Sequence, residues 1–137
     1  FCIFHFPFYI IPNNRTNGAI NRNLKGGDTM TRILMERGDG WLRISMEGHA
    51  GFGAYGSDPV CGGLSALAYT GARMLEELDA EGKLAEPPLI RLEPGMALLA
   101  GSANAEGKEA ISYLAKFLMG GFRLMEDSFP TAVSVQS

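Results

Sequence analysis

Cysteine is scarce in this 137-residue chain, which contains only Cys2 and Cys61. Two cysteines cannot form the framework of several disulfides that small secreted domains use, and they are too few for a four-cysteine zinc site. We therefore expect a reduced, cytoplasmic protein that uses no metal or other cofactor. Cys61 is then a lone thiol that needs an explanation.

Basic clusters and long apolar runs are also missing. Lysine and arginine are dispersed, and the formal net charge is −3. Proteins that bind duplex nucleic acid normally carry a basic stripe, so we expect no direct contact with nucleic acid. No apolar run approaches the roughly 18 residues that a membrane span needs, so we expect no membrane partner. With 46% apolar residues, the chain can form the core of one domain.

The first 29 residues differ in character from the rest. Residues 1–12 are mostly aromatic and apolar, residues 13–29 are rich in Asn, Arg and Gly, and neither part is periodic. The stretch KGGD at 25–28 can be encoded by a bacterial ribosome-binding sequence, with Thr29 as a spacer before Met30. We expect residues 1–29 to be a translated leader that the native protein lacks; a genuine N-terminal arm, disordered or touching a membrane, is the alternative. Residues 30–137 then form a single domain.

From Met30 onward, the hydrophobic pattern predicts an α+β fold. In residues 41–47, apolar and polar residues alternate, as in a strand with one buried face. After Asp58, apolar residues recur at helical spacing as far as Leu78. The full prediction is strands over 31–36 and 41–47, a helix over 59–78, strands over 89–92 and 96–100, a helix over 106–125 and an optional strand over 131–135. This ββαββα order favours two layers, with a mostly antiparallel sheet and both helices on one face.

Between the second strand and the first helix lies the stretch GHAGFGAYGSDPVCGG at 48–63, in which six of sixteen residues are glycine. Asp58 is placed to cap the helix, with Pro59 at its first position. Cys61 then lies in the first turn, where unpaired N–H groups and the helix dipole favour a negatively charged nucleophile. If the loop folds back, His49 can act as the base for Cys61.

Other residues of this stretch have possible roles in substrate binding. Gly62 and Gly63 allow a substrate to approach the backbone closely, and their N–H groups could form an oxyanion hole. Phe52 and Tyr55 are available to contact an extended peptide. The simpler interpretations remain open at this point: a lone cysteine is often a small core residue, and glycine-rich loops are often only turns.

Three stretches together form a specific motif: Gly48-His49-Ala50, the run from Tyr55 to Cys61, and Ser65-Ala66-Leu67. In residue types, and in the twelve-residue spacing from histidine to cysteine, they resemble the ribosomal-processing cysteine protease family of Firmicutes and related bacteria. The pattern similarity extends from Met30 to Val135. This chain departs from the family pattern at Pro59, where Ile or Val is usual, and at Gly62-Gly63.

The resemblance implies a function and assigns roles to residues. Family members are dimers that remove a short N-terminal extension from a large-subunit ribosomal protein, cutting after aromatic residues. Cys61 would be the nucleophile and His49 the general base and later the acid. Gly48 would let the chain turn, Asp58 would cap the helix, and Ser65 would support its first turn. We therefore predict a homodimeric cysteine endopeptidase with a Cys–His dyad.

Two alternatives belong to other functional classes. The first is a non-catalytic ribosome-assembly module that only binds the ribosomal protein tail. The second is a redox sensor based on Cys61, which the lack of a resolving cysteine argues against. Replacing Cys61 by serine would abolish cleavage in a protease but would leave an assembly module functional.

Overall fold

A computed structural model describes residues 30–51, 53 and 57–137. The predicted leader at residues 1–29 lies outside the described residues, as do Phe52 and Tyr55. The helices and strands of the described part are β1 (Thr31–Gly38), β2 (Trp41–Glu47), α1 (Pro59–Ala80), β3 (Leu89–Glu93), β4 (Met96–Ser102), α2 (Lys108–Ser128) and β5 (Val133–Gln136). The predicted α+β fold is confirmed, including its C-terminal strand.

The five strands form one sheet in the order β3-β4-β2-β1-β5. The pairs β1–β2, β2–β4 and β3–β4 are antiparallel, and β5 alone pairs in parallel, with β1. The alternation predicted for β2 is present, because Leu42, Ile44 and Met46 are buried while Arg43 and Glu47 are exposed. The sheet therefore has one apolar face, and this face forms one side of the core.

Both helices contribute to the core and pack against each other. A methyl group on Gly71 of α1 would lie 3.0 Å from Leu118 of α2, and one on Gly121 would lie 2.6 Å from Leu67. The earlier residue of α1 thus contacts the later residue of α2, so the two helices are antiparallel. In the described part of the chain, neither helix is long and apolar enough to cross a bilayer.

Candidate active site

Asp58 organises the start of α1. Its backbone is extended (φ −75°, ψ 114°), and Pro59 occupies the first helical turn, as predicted. Oδ1 accepts hydrogen bonds from the N–H groups of Val60 at 2.9 Å and Cys61 at 3.3 Å. Oδ2 accepts one from the N–H of Gly53 at 3.1 Å. This buried carboxylate therefore satisfies two unpaired helix donors and also holds part of the preceding loop.

Cys61 is the third residue of α1, and its thiol is free and only 1% exposed. The side of α1 that faces α2 carries Gly63 and Leu67, which contact Met125 and Gly121. Cys61 lies about 160° around the helix from Gly63, at 100° per residue. It is therefore on the flank of α1 that is turned away from α2. A substrate carbonyl can reach the buried Sγ only if neighbouring residues move.

The position of His49 is determined by two glycines. Gly48 has φ +98°, and a Cβ there would collide with the carbonyl oxygen of Met30. Its N–H donates to the carbonyl of Gly95 in the β3–β4 turn at 3.0 Å. Gly95 has φ +76°, and a Cβ there would lie 3.0 Å from Nε2 of His49. The imidazole therefore rests against this turn, and partial removal from water lowers the pKa of His49 below its ordinary value of 6.5.

The direction of α1 shows at which end of the sheet Cys61 lies relative to the β3–β4 turn. A methyl group on Gly71 would lie 3.1 Å from Leu99 Cδ1, and one on Gly101 would lie 2.7 Å from Leu75 Cδ2. Later residues of α1 thus contact later residues of β4. The helix and the strand run in the same direction, so the start of α1 lies at the end of the sheet where β4 begins.

Cys61 and His49 are therefore brought to the same end of the domain. Cys61 precedes Gly71 by ten residues, which is about 15 Å along a helix. Gly95, against which His49 rests, precedes Leu99 by four residues, which is about 13 Å along a strand. The thiol and the imidazole therefore lie at nearly the same level along the sheet.

Comparison with known proteins identifies the family. The profile of the cysteine protease Prp family matches residues 30–134, most of the chain. The chain belongs to the cysteine protease Prp family. It is therefore a cysteine protease, and the resemblance noted in the sequence is confirmed. No curated protein sequence matches it significantly.

Solved structures of similar fold include a Prp protease. The ribosomal processing protease Prp from S. aureus, with a covalently linked product peptide, has a TM-score of 0.62 and 19% identity, over 78% of this chain and 98% of that chain. The same protease with a substrate peptide gives 0.57 and 18%, with equal coverage. SMU.848 from Streptococcus mutans gives 0.56 and 22%, over 78% of this chain and 92% of that one. At these identities the similarity shows a shared fold.

Three further residues of the predicted site have structural roles in this Prp family member. The Gly62 N–H donates to the Asp58 carbonyl at 3.0 Å, as part of the helix. A Cβ on Gly63 would lie 2.9 Å from Met125 Cε, so this glycine allows the two helices to approach. Ser65 is buried one turn after Cys61 on the same flank. None of the described residues form a cluster suited to a metal ion.

Sequence analysis missed the contribution of Gly95. Pro94 and Gly95 indicated a tight turn between two strands, and the structure shows that turn. Nothing in the pattern indicated that the turn also supports His49, which is 46 residues away in the chain. The one available signal was Gly48, whose positive φ fixes the direction in which the chain leaves β2.

Proposed function

We propose that this cysteine protease removes the N-terminal extension of a large-subunit ribosomal protein precursor, with Cys61 as nucleophile and His49 as its base. One observation carries the assignment of residues: Cys61 is the only cysteine, and His49 the only histidine, in the matched region 30–134. A cysteine protease needs a thiol and normally a partner base. The shared level of the two residues along the sheet supports this pair.

The chemistry follows from the two side chains. The imidazole accepts the Sγ proton, and the sulfur attacks the scissile carbonyl carbon to give a tetrahedral intermediate. The imidazolium then donates that proton to the leaving amine, which leaves an acyl-enzyme. Water, deprotonated by His49, hydrolyses the thioester and regenerates the thiol. The lowered pKa of His49 suits the first step, because the imidazole is neutral near pH 7 and can accept a proton.

Binding of substrate must also rearrange the first turn of α1. Cys61 is buried, the Gly62 N–H is engaged with Asp58, and Gly63 contacts Met125. Stabilisation of an oxyanion by Gly62 or Gly63 therefore requires this turn to open when substrate binds. We propose that Phe52 and Tyr55, in the adjacent glycine-rich loop, contact the substrate in that state.

The substrate class is supported by comparison and by charge. The similar S. aureus structures are of a ribosomal processing protease with product and substrate peptides. Residues 30–137 carry 9 basic and 14 acidic residues, which suits a basic ribosomal protein. We propose cleavage after an aromatic residue, in the cytoplasm, by a homodimer. For the dimer interface, α2 offers the exposed side chains of Tyr113 (62%), Phe117 (62%) and Leu124 (65%).

The test is cleavage of a synthetic peptide that spans the precursor's extension, analysed by mass spectrometry. We expect the wild type to make a single cut after an aromatic residue. Cys61→Ala and His49→Ala should lose cleavage but should unfold at nearly the wild-type temperature. If all three proteins bind the peptide and none cuts it, the protein acts on this partner as an assembly module. Cleavage by Cys61→Ala would refute the assigned nucleophile.

A further inference from the structure

The two edges of the sheet differ in how their backbone groups are satisfied. At the β5 edge, the Val133 N–H donates to the Phe129 carbonyl at 3.0 Å. The Val135 N–H donates to Glu126 Oε1 at 2.8 Å, and Arg123 Nη1 donates to the Val135 carbonyl at 3.1 Å. Groups from α2 and its C-terminal end therefore form hydrogen bonds with the outward backbone groups of this edge. Such protection prevents another strand from pairing there.

The β3 edge has no comparable protection. Glu93 and Met96 close a two-residue turn and form a hydrogen-bonded pair, so the antiparallel pattern also bonds Arg91 to β4. The alternate residues, Ile90 and Leu92, then direct their N–H and C=O groups away from the sheet. Among the described residues, none forms a hydrogen bond with these outward groups. The edge therefore offers two donors and two acceptors to another chain.

This open edge leads to the candidate active site. β3 ends at Glu93, directly before the Pro94-Gly95 turn against which the imidazole of His49 rests. The helix α1 contacts β4, and its flank with Cys61 is turned away from α2, which contacts β1, β2 and β5. That flank therefore lies on the β3 side of the sheet. Leu92 precedes Gly95 by three residues, so the two lie at most about 10 Å apart.

We propose that the substrate binds as an additional, sixth strand on the outer edge of β3, where it pairs with the backbone of Ile90 and Leu92, and that this pairing directs its scissile bond to Cys61. The proposal rests on the proposed function, because it takes an extended N-terminal peptide as the occupant. Strand addition binds backbone independently of sequence and leaves specificity to alternate side chains. Every second substrate side chain would then face the flank of α1 that carries Cys61.

The first test measures amide hydrogen exchange by NMR in Cys61→Ala, with and without the synthetic extension peptide. We expect the peptide to slow exchange at Ile90 and Leu92. Exchange at Arg91, which is already bonded to β4, and at Val135 on the protected edge should not change; these amides are internal controls. A peptide that is cut by the wild type but does not protect Ile90 and Leu92 would overturn the added strand and leave the proposed function intact.

The remaining outcomes separate the two proposals. Protection at the edge by a peptide that the wild type does not cut would support the strand and refute proteolysis of that substrate. Absence of both binding and cleavage would refute both. For a peptide that is cut, single N-methyl groups should lower kcat/KM at least about tenfold at every second residue, where they block pairing, and little at the residues between. A scan without this alternation would overturn the proposal.

Discussion

Replacement of Gly95 by alanine should displace His49, the proposed base, and leave Cys61, the proposed nucleophile, in place. The new Cβ would lie 3.0 Å from Nε2 and 3.3 Å from Cε1 of His49. These contacts are too close, so the imidazole must shift by a few tenths of an ångström to relieve them. A misplacement of about 1 Å can cost roughly a hundredfold in rate, so for this smaller shift we expect a fall in kcat/KM of about tenfold.

The same substitution also has a cost in stability. Gly95 has φ +76°, a left-handed conformation that costs a residue with a Cβ about 1–2 kcal/mol. For a domain of this size, that corresponds to a fall in Tm of about 4–8 °C. The loss of activity must therefore be separated from the loss of stability, and both must be measured at a temperature where the variant is folded.

Gly82 provides the matched control. It has φ +69°, and a Cβ there would meet no atom within 4 Å. Gly82→Ala should therefore lower the Tm by a similar amount and leave kcat/KM for the extension peptide unchanged. The comparison requires only thermal unfolding and peptide cleavage for the two variants and the wild type. If Gly95→Ala cleaves as fast as Gly82→Ala, the placement of His49 against this turn has no role in catalysis.

Three other predictions address the helix start, the protected edge and the proposed dimer. Asp58→Ala should cost about 1–2 kcal/mol in urea unfolding, while Asp58→Asn, which keeps an acceptor, should cost less; equal losses would contradict the capping role. Hydrogen bonds from Val135 and Arg123 hold the pKa of Glu126 below its ordinary value of 4.5. The resulting stabilisation is present above pH 4.5 and is lost as the pH falls through the lowered value, so Glu126→Gln should destabilise the protein more at pH 7 than at pH 3. Phe117→Lys should shift the protein to monomers in sedimentation equilibrium, and an unchanged dimer would place the interface elsewhere.

The sequence predicted the type and order of all seven elements because each has a local signal. Alternation marks β2, and Asp58 with Pro59 marks the start of α1. The exact buried face of α1 was not predictable: Met74 lies at helical spacing with the buried apolar residues but is 38% exposed, whereas Cys61 and Ser65 are buried. The helical period shows that one face is apolar, but the width and centre of the buried face depend on where the sheet and α2 lie.

The parallel pairing of β5 was also beyond sequence analysis. A short edge strand near the C-terminus can pair in either direction with either edge, and the choice depends on the path of α2 across the sheet. Sequence analysis also could not show that one edge of the sheet is protected and the other is open. Glu126 and Arg123 lie on one turn of α2 as an ordinary ion pair, with Nη1 2.7 Å from Oε2. Only the fold shows that both side chains also form hydrogen bonds with the backbone of Val135.

Asp58 links the loop to Cys61, the proposed nucleophile. One oxygen holds the N–H groups of Val60 and Cys61, and the other holds the N–H of Gly53. A substrate that draws the loop toward itself would therefore pull on the same carboxylate that holds the first turn of α1, which carries the thiol. The rest of α1 is fixed by close contacts such as Gly71 with Leu99. Movement at the proposed site can thus be confined to the one helical turn that carries Cys61.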